Sequence, residues 1–323
     1  MAEKTNIEWC DSTVNPTSGC DGCELWRPAL RLCYAGGLHE GRLAKSLPAL
    51  YAPEFGEVRL IKGRMAKAAA WPSLRGVPRE GKRWLNDRPR MIFIGDLGDT
   101  FSGGVPFEYL RDEVIAPVSS KGGSRHVWLW LTKRPRVMAE FARWLASQGV
   151  SWPSNLWAGT SVTTQATAAA RIPALLEVPA PVRFLSCEPL LGPLDLTPWL
   201  GTFAVDWVIV GYASGAEAPA GHPAWAADVQ RQCEATTIPF FFKQHGEWQP
   251  REHGEEVRHV SAIDGAWGLS PEQVLVDGVA VARSDTTAMS RVGKHLSGRA
   301  LHGRSYTGMP AVAGVAAALP VAS

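Results

Sequence analysis

The chain has 323 residues, 46% of them hydrophobic and 20% charged, with a formal net charge of +2. This balance excludes an intrinsically disordered chain, is too mild to demand a polyanionic partner, and suits one large α/β domain. Six cysteines behind the polar start Met1-Ala2-Glu3-Lys4 fit a reducing compartment better than a disulfide framework, and no apolar run approaches the ~18 residues of a membrane span, so a cytoplasmic protein without membrane association is expected.

In chain order, Thr5-Asn6-Ile7-Glu8-Trp9 reads as a short first strand, followed by a Gly-rich loop that holds Cys20, Cys23 and Cys33. Cys20 and Cys23 form a C-x2-C pair on a turn, and Cys33 can reach the same point if the loop folds back. A structural zinc site is normally closed by four ligands, whereas a cluster held by three cysteines keeps one iron open for a substrate or cofactor. Three readings compete: an iron–sulfur cluster, a zinc site completed by His39 or Cys10, and three unconnected thiols.

Residues 38–50 are helix-compatible. Between Arg59 and Arg90 there are ten Lys or Arg against two acids, with Trp71 and Trp84 interleaved. Such a basic insertion, over 51–90, suits phosphate contacts and base stacking if the indoles are exposed; it equally suits an ordinary solvated helix face with two tryptophans in the core.

From residue 91 short apolar runs recur at 91–94, 127–131, 156–158, 182–185, 207–210 and 239–242, with helical patterns at 107–118, 136–146, 165–177 and 223–235 between them. Strand and helix in alternation argue a parallel sheet, and six or seven units without a G-x-G-x-x-G argue a partial or full (β/α) barrel rather than a dinucleotide-binding sheet. Barrel active sites sit at the C-terminal ends of the strands. There this chain carries Asp96 and Asp99; Thr132, Lys133 and Arg134; Thr160, Ser161 and Thr163; Ser186, Cys187 and Glu188; Tyr212 and Ser214; and Lys243, Gln244 and His245. The duller reading makes the aspartates turn and cap residues, and makes Glu188 an ion-pair partner of Lys133 or Lys243. Cys187 and Cys233 read as core residues. The barrel is expected to occupy 1–245. A C-terminal extension follows over 246–310, with an edge hairpin near 274–281 and a second basic run of Arg291, Lys294, His295, Arg299, His302 and Arg304; residues 311–323 read as a disordered tail.

Ile7-Glu8-Trp9, Asn15-Pro16, Gly19-Cys20 and Cys33-Tyr34-Ala35 resemble the phage Gp37/Gp68 family (DUF5131-like), which itself looks like the radical S-adenosylmethionine superfamily. Leu131-Thr132-Lys133-Arg134-Pro135, the segments 184–192, 207–211 and 239–244, and Gly298-Arg299 through Gly303-Arg304 extend the similarity over about residues 5–310. Two departures stand out: C-x2-C-x9-C replaces the superfamily's C-x3-C-x2-C, and Gly211-Tyr212-Ala213-Ser214-Gly215 replaces the family's Gly-Gly-Glu-Ser-Gly.

The resemblance implies a [4Fe-4S] cluster on Cys20, Cys23 and Cys33, and S-adenosyl-L-methionine bound among Asp96, Asp99, Thr132, Lys133, Ser161 and Ser214. It implies acid or base assistance from Glu188, Lys243 or Tyr212, and an electron donor such as flavodoxin or ferredoxin. The expected activity is an isomerase- or lyase-type remodelling of a modified pyrimidine in phage DNA, for example an amino-acid-substituted thymine, in the host cytoplasm if the protein is phage-encoded. The alternatives are a radical enzyme of nucleic-acid repair and a zinc-stabilised nucleic-acid-binding protein without catalysis.

Overall fold

A computed structural model describes residues 1–27, 30–202, 204–251 and 256–312. Seven parallel strands form a curled half-barrel: β1 (Ser12–Val14), β2 (Met91–Ile94), β3 (Val127–Thr132), β4 (Leu156–Ser161), β5 (Arg183–Cys187), β6 (Trp207–Val210) and β7 (Phe240–Phe242). They lie side by side in sequence order, with β1 and β7 at opposite edges, so the barrel is partial rather than closed. Helices Pro135–Ser147, Gln165–Leu176 and Pro223–Ala235, with the helical stretch from Phe107 to Ser119, supply the crossovers.

Side-chain alternation along the strands divides the core in two. Ile92, Ile94, Trp128, Trp130, Leu185, Val208, Val210 and Phe242 pack on the convex side against the helices. Met91, Phe93, Val127, Leu129, Trp157, Phe184, Trp207, Ile209 and Phe241 fill the concave side. Gly159 on β4 is required by this filling, because a Cβ there would run into the Phe184 ring.

The first strand is not where the sequence suggests. Residues 7–9 form a turn before β1, and Trp9 is buried against Phe93, Phe184 and Trp207 as a plug in the concave core. Ser12, Thr13 and Val14 take the sheet position instead, in register with Ile92, Phe93 and Ile94. The apolar residues of Ile7-Glu8-Trp9 mimic a strand, whereas the polar Ser12-Thr13 pair carries no such signal.

The basic insertion is only in part an exposed face. Arg79 forks onto Asp11 at 3.0 and 3.2 Å, Lys82 Nζ donates to the carbonyls of Thr5, Ile7 and Cys10, and Arg90 donates to Ser12 Oγ. The indoles are half-buried: Trp84 Nε1 donates to the Glu8 carbonyl, and Trp71 packs on the convex core under Arg90. Much of this segment's charge therefore fastens the N-terminal segment and β1; Lys62 and Lys67 remain exposed.

Beyond β7 the chain forms a second, antiparallel sheet of six strands: β8 (Trp248–Pro250), β9 (Val257–Ser261), β10 (Trp267–Gly268), β11 (Val274–Val276), β12 (Val279–Val281) and β13 (Thr286–Arg291), in the order β8-β13-β9-β10-β11-β12. The expected edge hairpin is β11–β12. The chain then returns to the half-barrel, where Thr307 bridges to Phe241, Trp207 Nε1 donates to the Gly308 carbonyl and Arg88 donates to that of Pro310. The second basic run serves this return in part, Arg299 lying over Trp84 and Phe241 while donating to the Lys243 carbonyl. Most of the expected tail, 313–323, falls outside the described residues.

Candidate active site

At the C-terminal ends of the strands a cavity of about 270 Å³ opens above the aromatic filling. Its wall includes Cys20, Cys23 and Cys33 from the loop after β1, Asp96 and Asp99 after β2, Thr132 and Lys133 on β3, Ser161 on β4, Glu188 after β5, Tyr212 and Ser214 after β6, and Lys243 after β7. Most of the strand-end candidates thus meet in one space, because the parallel sheet turns every strand end toward the same mouth; Arg134, Thr160, Thr163, Cys187, Gln244 and His245 are not part of its lining.

Their environments differ. Asp99 is buried and already engaged: it accepts from Thr132 Oγ1 at 2.7 Å, the backbone nitrogen of Lys133 at 2.9 Å, Arg134 at 2.9 Å and the backbone nitrogen of Phe101 at 3.0 Å. Asp99 and Thr132 accordingly shape the turn after β3. Asp96 accepts from Asn15 at 2.5 Å and from the Tyr34 hydroxyl at 3.5 Å, and burial raises its carboxyl above the usual range despite the Asn15 donation. Lys133 Nζ reaches Ser161 Oγ at 3.4 Å. Glu188 pairs with Lys243. Burial opposes the Lys243 charge, but Glu188 and Glu8 outweigh it and hold the ammonium above its ordinary value. The Tyr212 hydroxyl donates to the carbonyl of His222 at 2.6 Å and accepts from the backbone of Ala226, which commits it to the start of helix Pro223–Ala235; burial pushes its pKa up. Tyr212 also contributes to the cavity wall.

The six cysteines are all free thiols. Cys10, Cys187 and Cys233 lie in the two cores, while Cys20, Cys23 and Cys33 border the cavity. Burial raises the Cys20 and Cys23 thiols; Arg134 and the Gly22 backbone N–H oppose this at Cys20, and Lys133 and the Leu25 N–H oppose it at Cys23. Hydrogen bonds and cations beside sulfur favour the thiolate that metals and clusters require. His39 is unsuited as a fourth ligand, being fully buried with Nε2 on the Ala52 carbonyl at 2.7 Å. As the side chains stand, no three His, Cys, Asp or Glu groups among the described residues enclose a metal ion.

Two arginines anchor the cysteine loop. Arg134, visible in the sequence only as part of the 132–134 segment, reaches Asp21, the Gly22 carbonyl and Cys20. Arg171 on helix Gln165–Leu176 holds Glu24 at 2.6 and 2.9 Å and the Ser161 carbonyl at 3.0 Å. Nothing near Arg171 in the sequence signals that role, since its partner lies 147 positions away. Lys294, from the second basic run, also lines the cavity.

Fold and site together define an α/β half-barrel protein with a thiol-bearing, charge-lined cavity at its strand ends. The chain belongs to the family described as "Protein of unknown function (DUF5131)", which matches residues 4–310. No curated protein and no solved structure matches it. Among the described residues, no helix is long and apolar enough to cross a membrane.

Proposed function

We propose that the protein is a radical S-adenosylmethionine enzyme in which Cys20, Cys23 and Cys33 would hold a [4Fe-4S] cluster, and that it remodels a modified pyrimidine in DNA by an isomerase- or lyase-type reaction. The observation that carries this reading is the sharing of one cavity by those three thiols and the polar strand ends, with the other three cysteines in the cores. Three thiols bordering one cavity would be the donor type that such a cluster takes. When bound, cluster and S-adenosylmethionine supply a one-electron reductive cleavage that yields a carbon radical able to abstract a substrate hydrogen.

The chain's own residues would orient and enclose. Asp96, Lys133, Ser161 and Ser214 offer polar contacts to the cofactor, and Asp99 and Thr132 act by fixing the turn that presents Lys133. The Lys243 ammonium and Glu188 carboxylate can give and take a proton at the strand ends. Phe93, Leu131 and the Trp9 plug exclude water from the cavity floor. The exposed Tyr34 ring and Lys294 at the wall suit a planar base and its phosphate, with the base flipped from the duplex or presented in a single strand. The electron would come from a flavodoxin- or ferredoxin-type donor.

Anaerobic purification with iron, sulfide and zinc analysis tests the reading. About four irons per chain and release of 5′-deoxyadenosine on adding dithionite and S-adenosylmethionine are expected; a colourless protein with one zinc would overturn it in favour of a binding module.

A further inference from the structure

Arg134 concentrates more polar contacts on the cysteine loop than any strand-end side chain named above. Nη1 donates to Asp99 at 2.9 Å. Nη2 donates to the Gly22 carbonyl at 2.6 Å and pairs with Asp21. Both nitrogens stand 3.6 Å from Cys20 Sγ, within reach of a hydrogen bond to sulfur. Asp21 is itself held by the backbone nitrogen of Gly103 at 2.8 Å, and Asp99 by the turn after β3. The guanidinium is therefore fixed on both sides, and its position beside the sulfur is built into the fold.

We propose that Arg134 is a positioning residue for the metal centre: it locks the Cys20–Gly22 turn onto the end of β3 and keeps a delocalised cation against the Cys20 sulfur. The inference rests on the iron–sulfur reading of Cys20. A cation and N–H donors at a ligand sulfur favour the more negatively charged state, so Arg134 makes one-electron reduction easier. Arginine suits the task because its planar fork meets Asp99, Asp21 and the sulfur at once, which a lysine ammonium on a flexible stem does not do.

The test is an anaerobic titration of the iron-loaded protein followed by electron paramagnetic resonance, in which one electron passes from dithionite to each cluster as dithionite is oxidised. Arg134→Gln is expected to hold wild-type iron but to shift the reduction equilibrium at least tenfold toward the oxidised form, about 59 mV for one electron. Arg134→Lys, which keeps the charge and loses the fork, should recover part of that shift and serves alone if Arg134→Gln does not fold. Arg143→Gln, at an exposed pair with Glu177, should match wild type. Iron-loaded Arg134→Gln and Arg134→Lys with wild-type potentials would overturn the role of Arg134 and leave the cluster reading intact. A wild-type protein that takes up no iron would overturn both.

Discussion

Glu188 and Lys243, which follow β5 and β7, form an ion pair across the end of the intervening strand β6. The residue between them is Gly211, where a Cβ would lie 3.3 Å from Lys243 Cβ and 3.4 Å from the Glu188 carboxyl carbon. The glycine that ends Val208-Ile209-Val210-Gly211 thus gives the pair room to close over β6. The pair is largely buried, and removing one partner leaves the other charge stranded.

Lys243→Met and Glu188→Gln should each cost about 3 kcal/mol in urea unfolding, with the double variant well short of the sum. Additive losses would show that the two groups are independent. Because the Lys243 value is raised above 10.5, the stability that the Lys243 ammonium contributes through its raised value is fully present below that pH and is lost as pH climbs through the folded value. Turnover in either single variant should fall about 100-fold or more if the pair handles a proton.

Arg79 and the exposed lysines of the basic insertion should separate by phenotype. Arg79→Met strips the buried Asp11 of its fork and should destabilise the fold by about 3 to 5 kcal/mol. Lys62→Ala with Lys67→Ala should leave thermal unfolding nearly unchanged and, if this face meets nucleic acid, weaken DNA binding and flatten its salt dependence. Binding that ignores both lysines would remove this face from any DNA-contacting surface.

Cys20→Ala, Cys23→Ala and Cys33→Ala should each abolish turnover and lower bound iron. Cys187→Ala, in the convex core, should keep both and cost about 1 to 2 kcal/mol as a small cavity. Iron analysis on the four variants checks this, and equal iron loss from Cys187→Ala would mean the ligands are misassigned.

His126 should make stability fall in mild acid. It is 1% exposed and lies against Trp128, and burial, with Arg125 and Arg90 nearby, lowers it from 6.5 to about 4. Between those values the unfolded chain takes up a proton that the folded chain refuses, so its contribution is fully present above pH 6.5 and declines toward pH 4, by at most about 3 kcal/mol. His126→Leu should flatten that part of the pH–stability curve. A variant curve parallel to wild type would assign the acid loss to other groups.

Six of the seven barrel strands and the crossover helices were legible as alternating apolar runs and helical periods, because those signals are local and the strands are buried on both faces. β1 was not, since its polar Ser12 and Thr13 are held by partners some eighty positions away. The same division holds in the site. A parallel sheet brings its strand ends to one mouth whatever the side chains, so residue type at strand ends sufficed to assemble Asp96, Lys133, Ser161, Glu188, Lys243 and the three loop cysteines around one cavity. Which of these groups are free is a matter of contacts no local pattern encodes. Asp99 is engaged by the turn after β3, the Tyr212 hydroxyl by a helix start, and much of the basic insertion by carbonyls and carboxylates of the N-terminal segment. Charge and composition reveal that such groups exist; only long-range packing decides whether they face a ligand or hold the fold together.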